Sequence, residues 1–122
     1  MGAMVTDASM TKAERAAEYI RRRTVRYAAA RSRGRHARAE WLEMLAFYGE
    51  CVKCGAANPE KDHIIPLYQD DSTDAISNLQ PLCSHCNDSK GRDRTDYRLT
   101  HPKGCRAQWR APVAEQTARN RR

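Results

Sequence analysis

At 122 residues the chain is long enough for one small domain with an extension, and alanine inflates its 40% hydrophobic content, so the core it can bury is small. Lysine and arginine outnumber aspartate and glutamate by 22 to 15, a formal net charge of +7, which makes polyanions the natural partners. No apolar run approaches the length of a membrane span and no signal peptide with an apolar core is seen, which leads us to expect a soluble protein of the cytoplasm or nucleus with reduced cysteines.

Met1-Gly2-Ala3-Met4 reads as a tag remnant ahead of a native start, and residues 1–9 are expected to be disordered. From Met10 to about Arg33 the chain is rich in Ala, Arg and Glu with scarcely a breaker, and Ser9 or Thr11 can cap a helix there. Its apolar positions recur only loosely, so the buried stripe is expected to be thin. Between Lys12 and Arg38 ten basic residues face only Glu14 and Glu18. Such a run can be a solvated face; the stronger reading is a DNA-contacting helix on which Arg21, Arg22, Arg23 and Arg26 neutralise phosphates. Gly34 breaks it, and a second helix runs from about Ala37 to Tyr48, with Trp41, Leu42, Leu45 and Tyr48 at positions 0, 1, 4 and 7 and Met44 alongside. Gly49 ends that helix.

The most restrictive pattern comes next. Cys51/Cys54 and Cys83/Cys86 form two Cys-x-x-Cys knuckles, the spacing that supplies a tetrahedral four-thiolate shell for Zn²⁺. A closed shell of that kind is structural, because no position is left open for water. Between the knuckles, Ile64-Ile65 reads as a short β-branched strand stopped by Pro66, which places Asp62 and His63 at a strand. Asn87 follows the last cysteine, where the chain turns into a helix ended by Gly91. Folding the knuckles together carries Asn87 toward Asp62 and His63, and a carboxylate oxygen with an amide oxygen beside a neutral imidazole suits a hard cation such as Mg²⁺. The stretch from Glu40 to Asp74 holds eight acids against Lys53 and Lys61; Asp70, Asp71 and Asp74 are expected in the loop joining two strands, away from the phosphate track.

Beyond the knuckles Lys90, Arg92, Arg94 and Arg98 can line a groove, with Lys90 placed to hold a phosphate next to the scissile one. Trp109 is expected to cover the core, and Cys105 is an unpaired thiol that could alternatively stand in for a zinc ligand. His85 is expected to be exposed, His36 and His101 to lack partners, and the tail from Pro112 to Arg122 to fray.

Read as a set, Cys-x-x-Cys, Asp-His-Ile-Ile-Pro-Leu and Asn-Leu-Gln-Pro-Leu-Cys-x-x-Cys-Asn-x-x-Lys resemble the HNH endonuclease family, the ββα-metal nucleases, in their zinc-stapled bacterial and phage form. The resemblance covers about Tyr48 to Asp93. It implies that His63 is the general base, that Asp62 and Asn87 hold one catalytic Mg²⁺ or Mn²⁺, and that Asn78 steadies the loop and orients His63. The final family position is Asn rather than His, an HNN variant, whose harder oxygen favours Mg²⁺ and Mn²⁺ over softer ions. The expected fold is α+β: a small ββα-metal core with a four-cysteine zinc knuckle pair over residues 49–98, basic helices over 10–48 before it, and a strap and basic tail over 99–122. The expected activity is metal-dependent endonuclease cleavage of double-stranded DNA, nicking or weakly specific, in a bacterial host cytoplasm. In that family context a phage terminase is a candidate partner. A non-catalytic zinc-ribbon DNA-binding protein needs only the cysteines and arginines, and a nuclease toxin would need an immunity partner.

Overall fold

Thr11 begins the first helix by a reciprocal cap: its hydroxyl accepts from the Glu14 amide and the Glu14 carboxylate accepts from the Thr11 amide, both at 3.1 Å. In the computed structural model, which describes residues 9–110, α1 then runs over Lys12–Arg33. Ala30 is its one fully buried side chain among the described residues, while Ile20 and Val25 are exposed, so the thin stripe is as expected. The expectations for residues 1–8 and for the tail from residue 111 onward lie outside the described residues.

Gly34 is extended, and what it supplies is space: a Cβ there would meet the Ala75 Cβ at 3.3 Å and the Thr73 Cβ at 3.4 Å. The chain after α1 can therefore lie against residues 73–75, where the Asp74 amide donates to the Gly34 carbonyl at 2.9 Å. Helix α2, Arg38–Tyr48, is closed by Gly49 in the left-handed region (φ 69°), whose amide donates to the Leu45 carbonyl. It buries Trp41, Met44 and Tyr48 and half-buries Leu45; Leu42 is exposed, because the face centres on positions 0, 3 and 7 rather than on position 1.

Strands β1 (Glu60–His63) and β2 (Leu79–Leu82) pair antiparallel, with Asp62 opposite Gln80 and His63 opposite Leu79. The strand expected at Ile64-Ile65 thus lies earlier. Ile64 and Ile65 are both buried beyond the strand's end, so their β-branched character marks burial at the turn before Pro66 and not the ladder. Helix α3, Ser84–Lys90, follows β2 directly, and the remainder is loop with single helical turns at residues 97–99 and 107–109.

Among the described residues the result is a small α+β fold of three α-helices and a two-stranded sheet. Its core joins Trp41, Met44 and Tyr48 of α2 to Cys51, Val52, Leu79, Leu82, Cys86, Cys105 and Trp109. Each large side chain buried there contributes on the order of 1.5–3 kcal/mol. Trp109 covers the core as expected, and Cys105 packs within it, outside the four-sulfur cluster. Arg98, expected at the groove, is instead wholly buried on Asp96 and on the carbonyls of Ser77, Leu79 and Trp109. No helix among the described residues is long and apolar enough to cross a membrane.

Candidate active site

The four cysteines come together through two tight turns. In the first, the Gly55 amide donates to the Cys51 carbonyl at 2.9 Å and the Cys51 amide to the Ala56 carbonyl at 2.9 Å. In the second, Cys83 caps α3 and its sulfur accepts from the Cys86 amide. All four sulfurs lie within 4.8 Å of one another. Burial pushes the Cys51 thiol up, but backbone N–H groups of Cys83, Cys54 and Lys53 bring it down to about 7. Burial and the neighbouring sulfurs push Cys86 up to about 12. Sulfurs this close cannot all ionise unless a cation compensates them, and four thiolates at tetrahedral spacing are the donor set of structural zinc.

The second knuckle ties α3 to β2 and so sets the position of Asn87 relative to β1. Along β1 the period of two sends consecutive side chains different ways. Asp62 meets its cross-strand partner Gln80, whose Nε2 donates to Oδ2 at 2.9 Å. Gln80 is in turn held by the Thr95 carbonyl and the Tyr97 amide. His63 turns to the loop between the strands, its Nε2 lying 2.9 Å from Asp74 Oδ1, and the Tyr27 ring of α1 stands edge-on to it at 5.3 Å. Asn78 fastens that loop: its Oδ1 accepts from the Ile65 amide at 2.9 Å, and its Nδ2 donates to the Thr73 carbonyl at 2.8 Å. Asn87 donates its Nδ2 to Glu60 Oε1 at 3.2 Å, which leaves the amide oxygen as its remaining ligand atom.

A cleft of about 610 Å³ gathers Asp62, His63 and Asn87 with Arg23 and Arg26 of α1 and with Arg92. Burial pushes the Asp62 carboxyl above the usual range, against Lys90 and Gln80. Burial likewise lowers His63, against Asp74, so its imidazole is neutral. A desolvated carboxylate and an amide oxygen in one cleft fit a hard divalent cation.

Several expected contacts differ. Lys90 borders the cleft, but its ammonium is turned inward, donating to the Ile64 carbonyl at 3.0 Å and lying 3.4 Å from Asp62 Oδ2, so it neutralises Asp62 and holds the end of β1. Arg94 is drawn onto Asp71 and only 12% of its side chain is exposed. Arg21 and Arg22 both pair with Glu18 yet remain well exposed, and Arg92 lies over the Tyr68 ring. His36 and His101 have partners: Asp74 and Lys61 for the first, Glu50 for the second. His85 is exposed, as expected. Asp74, placed by sequence in an idle acidic loop, and Gln80 are the site residues that sequence reasoning missed. The one signal in the sequence was Asp74 standing apart from the Asp70-Asp71 pair.

A β-strand pair followed by a helix, stapled by four cysteines and carrying an Asp-His pair against an Asn, defines a zinc-type ββα fold of the nuclease kind. Residues 51–93 match the family model HNH endonuclease. The chain is also similar to the CRISPR-associated endonuclease Cas9 of Corynebacterium diphtheriae (strain ATCC 700971 / NCTC 13129 / Biotype gravis), 41% identical over 46 residues. That alignment covers 34% of this chain and 4% of the relative's length. No solved structure matches.

Proposed function

We propose that the chain is a metal-dependent DNA endonuclease of phage or bacterial origin, acting in the bacterial cytoplasm, that nicks double-stranded DNA, with His63 as general base. The observation that carries this reading is the cleft that gathers Asp62, His63 and Asn87 under a rim of Arg23, Arg26 and Arg92. Neutral His63 takes a proton from a water aligned with a backbone phosphorus, so the nucleophile forms without free hydroxide. Asp62 and Asn87 would hold one Mg²⁺ or Mn²⁺, which supplies stabilisation of the negative charge growing on the phosphoryl and leaving 3′ oxygens. Asn78 keeps the chain after His63 in place through Ile65, and the rim arginines bind flanking phosphates. The products carry 5′-phosphate and 3′-hydroxyl ends. One cleft per chain cuts one strand, so nicked circles should precede linear product.

The test is supercoiled plasmid incubated with wild type and with His63→Ala, each in Mg²⁺, in Mn²⁺ and in EDTA. Wild type should nick only with added metal, and His63→Ala should lose on the order of 10²–10⁴-fold in rate while still shifting the DNA. Shifted but uncut plasmid under every condition would support the non-catalytic zinc-ribbon reading instead.

The rim carries a separate prediction. Arg23→Ala and Arg26→Ala should each make the slope of log affinity against log salt shallower by about one, because each removes a phosphate contact. Arg94→Ala, already paired with Asp71, should leave it unchanged. Equal slopes in all three variants would return α1 to a solvated face.

A further inference from the structure

Asp74 is nearly fully buried, and both of its carboxylate oxygens are engaged. Oδ1 meets His63 Nε2 at 2.9 Å. Oδ2 faces Arg31 Nε and His36 Nδ1, each at 3.4 Å. Its backbone is held as well: the amide donates to the Gly34 carbonyl, and the carbonyl accepts from His36 Nδ1 at 2.7 Å. A carbonyl can only accept, so His36 carries its proton on Nδ1, and its Nε2 takes the Lys61 ammonium at 3.0 Å. His36 is thus a prop for Asp74, itself held in place by Lys61.

The same logic fixes His63. A carboxylate accepts and does not donate, so Nε2 carries a proton, and the lone pair that a base needs can lie only on Nδ1. We propose that Asp74 is a positioning residue that sets the His63 tautomer, leaving Nδ1 as the basic atom for the attacking water, and that Arg31 and His36 hold Asp74 to this task. The inference rests on His63 being the base. It also assigns part of the active site to the segment from Tyr27 to His36, which lies outside the stretch matched by the family model. Gly34 permits the approach, since any Cβ would press on Ala75.

A purely structural Asp74 would steady the loop without caring which ring nitrogen of His63 is protonated, and Asp74→Asn separates the two roles. The amide is almost isosteric, and the donors Arg31 and His36 at the second position will take its oxygen, turning its NH₂ toward His63. An NH₂ must donate, so Nε2 becomes the acceptor and the proton moves to Nδ1. The experiment uses the full zinc-loaded chain with ¹⁵N-labelled histidine, His63→Gln to assign the resonance, and plasmid nicking for kcat and KM.

In wild type the Nε2 shift should be that of a protonated nitrogen and Nδ1 that of an unprotonated one. In Asp74→Asn the pattern should reverse, kcat should fall about 100-fold or more, and KM should stay within about 3-fold. Wild type with its proton on Nδ1 would overturn the proposal without any variant, which covers the case of an Asp74→Asn chain that fails to fold. An unchanged tautomer in Asp74→Asn, whatever the rate, would overturn it too. If wild type cuts no DNA, the nuclease reading falls, while the ring-nitrogen shifts still decide whether Asp74 sets the tautomer.

Discussion

Stripping the four-thiolate site should unfold the chain, not merely silence it. Binding of a structural zinc in a small domain contributes about 10–16 kcal/mol, whereas domains of this size are stable by roughly 5–15 kcal/mol in all. The core here leans on the site: Cys51 and Cys86 belong to the main hydrophobic cluster beside Val52, Leu79 and Leu82, so loss of the metal puts like charges or unsatisfied thiols inside it. Cys83→Ala should be the most damaging of the four ligand changes, since it removes both a ligand sulfur and the cap of α3. Elemental analysis should find one zinc per chain, and a strong chelator should collapse the circular-dichroism melt. Acidification should release the metal as the thiolates take up protons. Cys105→Ser serves as the control: that thiol is buried and pushed up by burial but stands outside the cluster, so zinc content should not change. A cooperatively folded chain containing no zinc would remove the staple from the account of this fold.

The parts legible in the sequence share one property: their geometry is set within a few residues. Two residues between cysteines dictate a knuckle, Thr11 and Glu14 dictate a helix start, and Gly49 dictates a helix stop, each through contacts three or four positions apart. The Asp62-His63 pair and Asn87 could be placed near one another because the knuckles leave the chain little choice. Asp74 could not. Its partners His63, His36 and Arg31 lie 11, 38 and 43 residues away, and a loop acid has no periodicity to betray its burial. Lys90 and Arg98 went astray for a related reason. Basic residues after a nuclease-like motif read as phosphate contacts, whereas burial was decided by acceptors elsewhere: the carbonyls that end β1 for Lys90, and Asp96 with three carbonyls for Arg98. The same charge is a surface feature or an internal tie depending on contacts that no local pattern records.

Arg98→Ala is therefore expected to cost far more than a lost surface charge. The guanidinium has no exposed surface, and every nitrogen is engaged: Nε and Nη2 fork onto the two Asp96 oxygens at 2.9 and 2.8 Å, Nη2 also reaches the Ser77 carbonyl at 2.9 Å, and Nη1 bridges the carbonyls of Leu79 and Trp109 at 3.2 and 3.1 Å. Removing it takes the guanidinium's charge away from Asp96 and one donor away from each of three carbonyls, a loss of about 3–5 kcal/mol. At about 4–8 °C per kcal/mol for a domain of this size, the melting temperature should fall by at least ~12 °C. Arg98→Lys should recover only part, because an ammonium cannot fork onto a carboxylate and reach three carbonyls at once. The damage should extend beyond stability. Ser77 and Leu79 flank Asn78, whose side chain holds Thr73 and Ile65, so loosening this tie loosens the loop that presents Asp74 to His63. Below its lowered melting point the variant should therefore nick plasmid more slowly than wild type while retaining its zinc. A variant that melts within about 3 °C of wild type would mean that the strap carrying Trp109 is held by packing alone, and that the buried fork adds nothing to it.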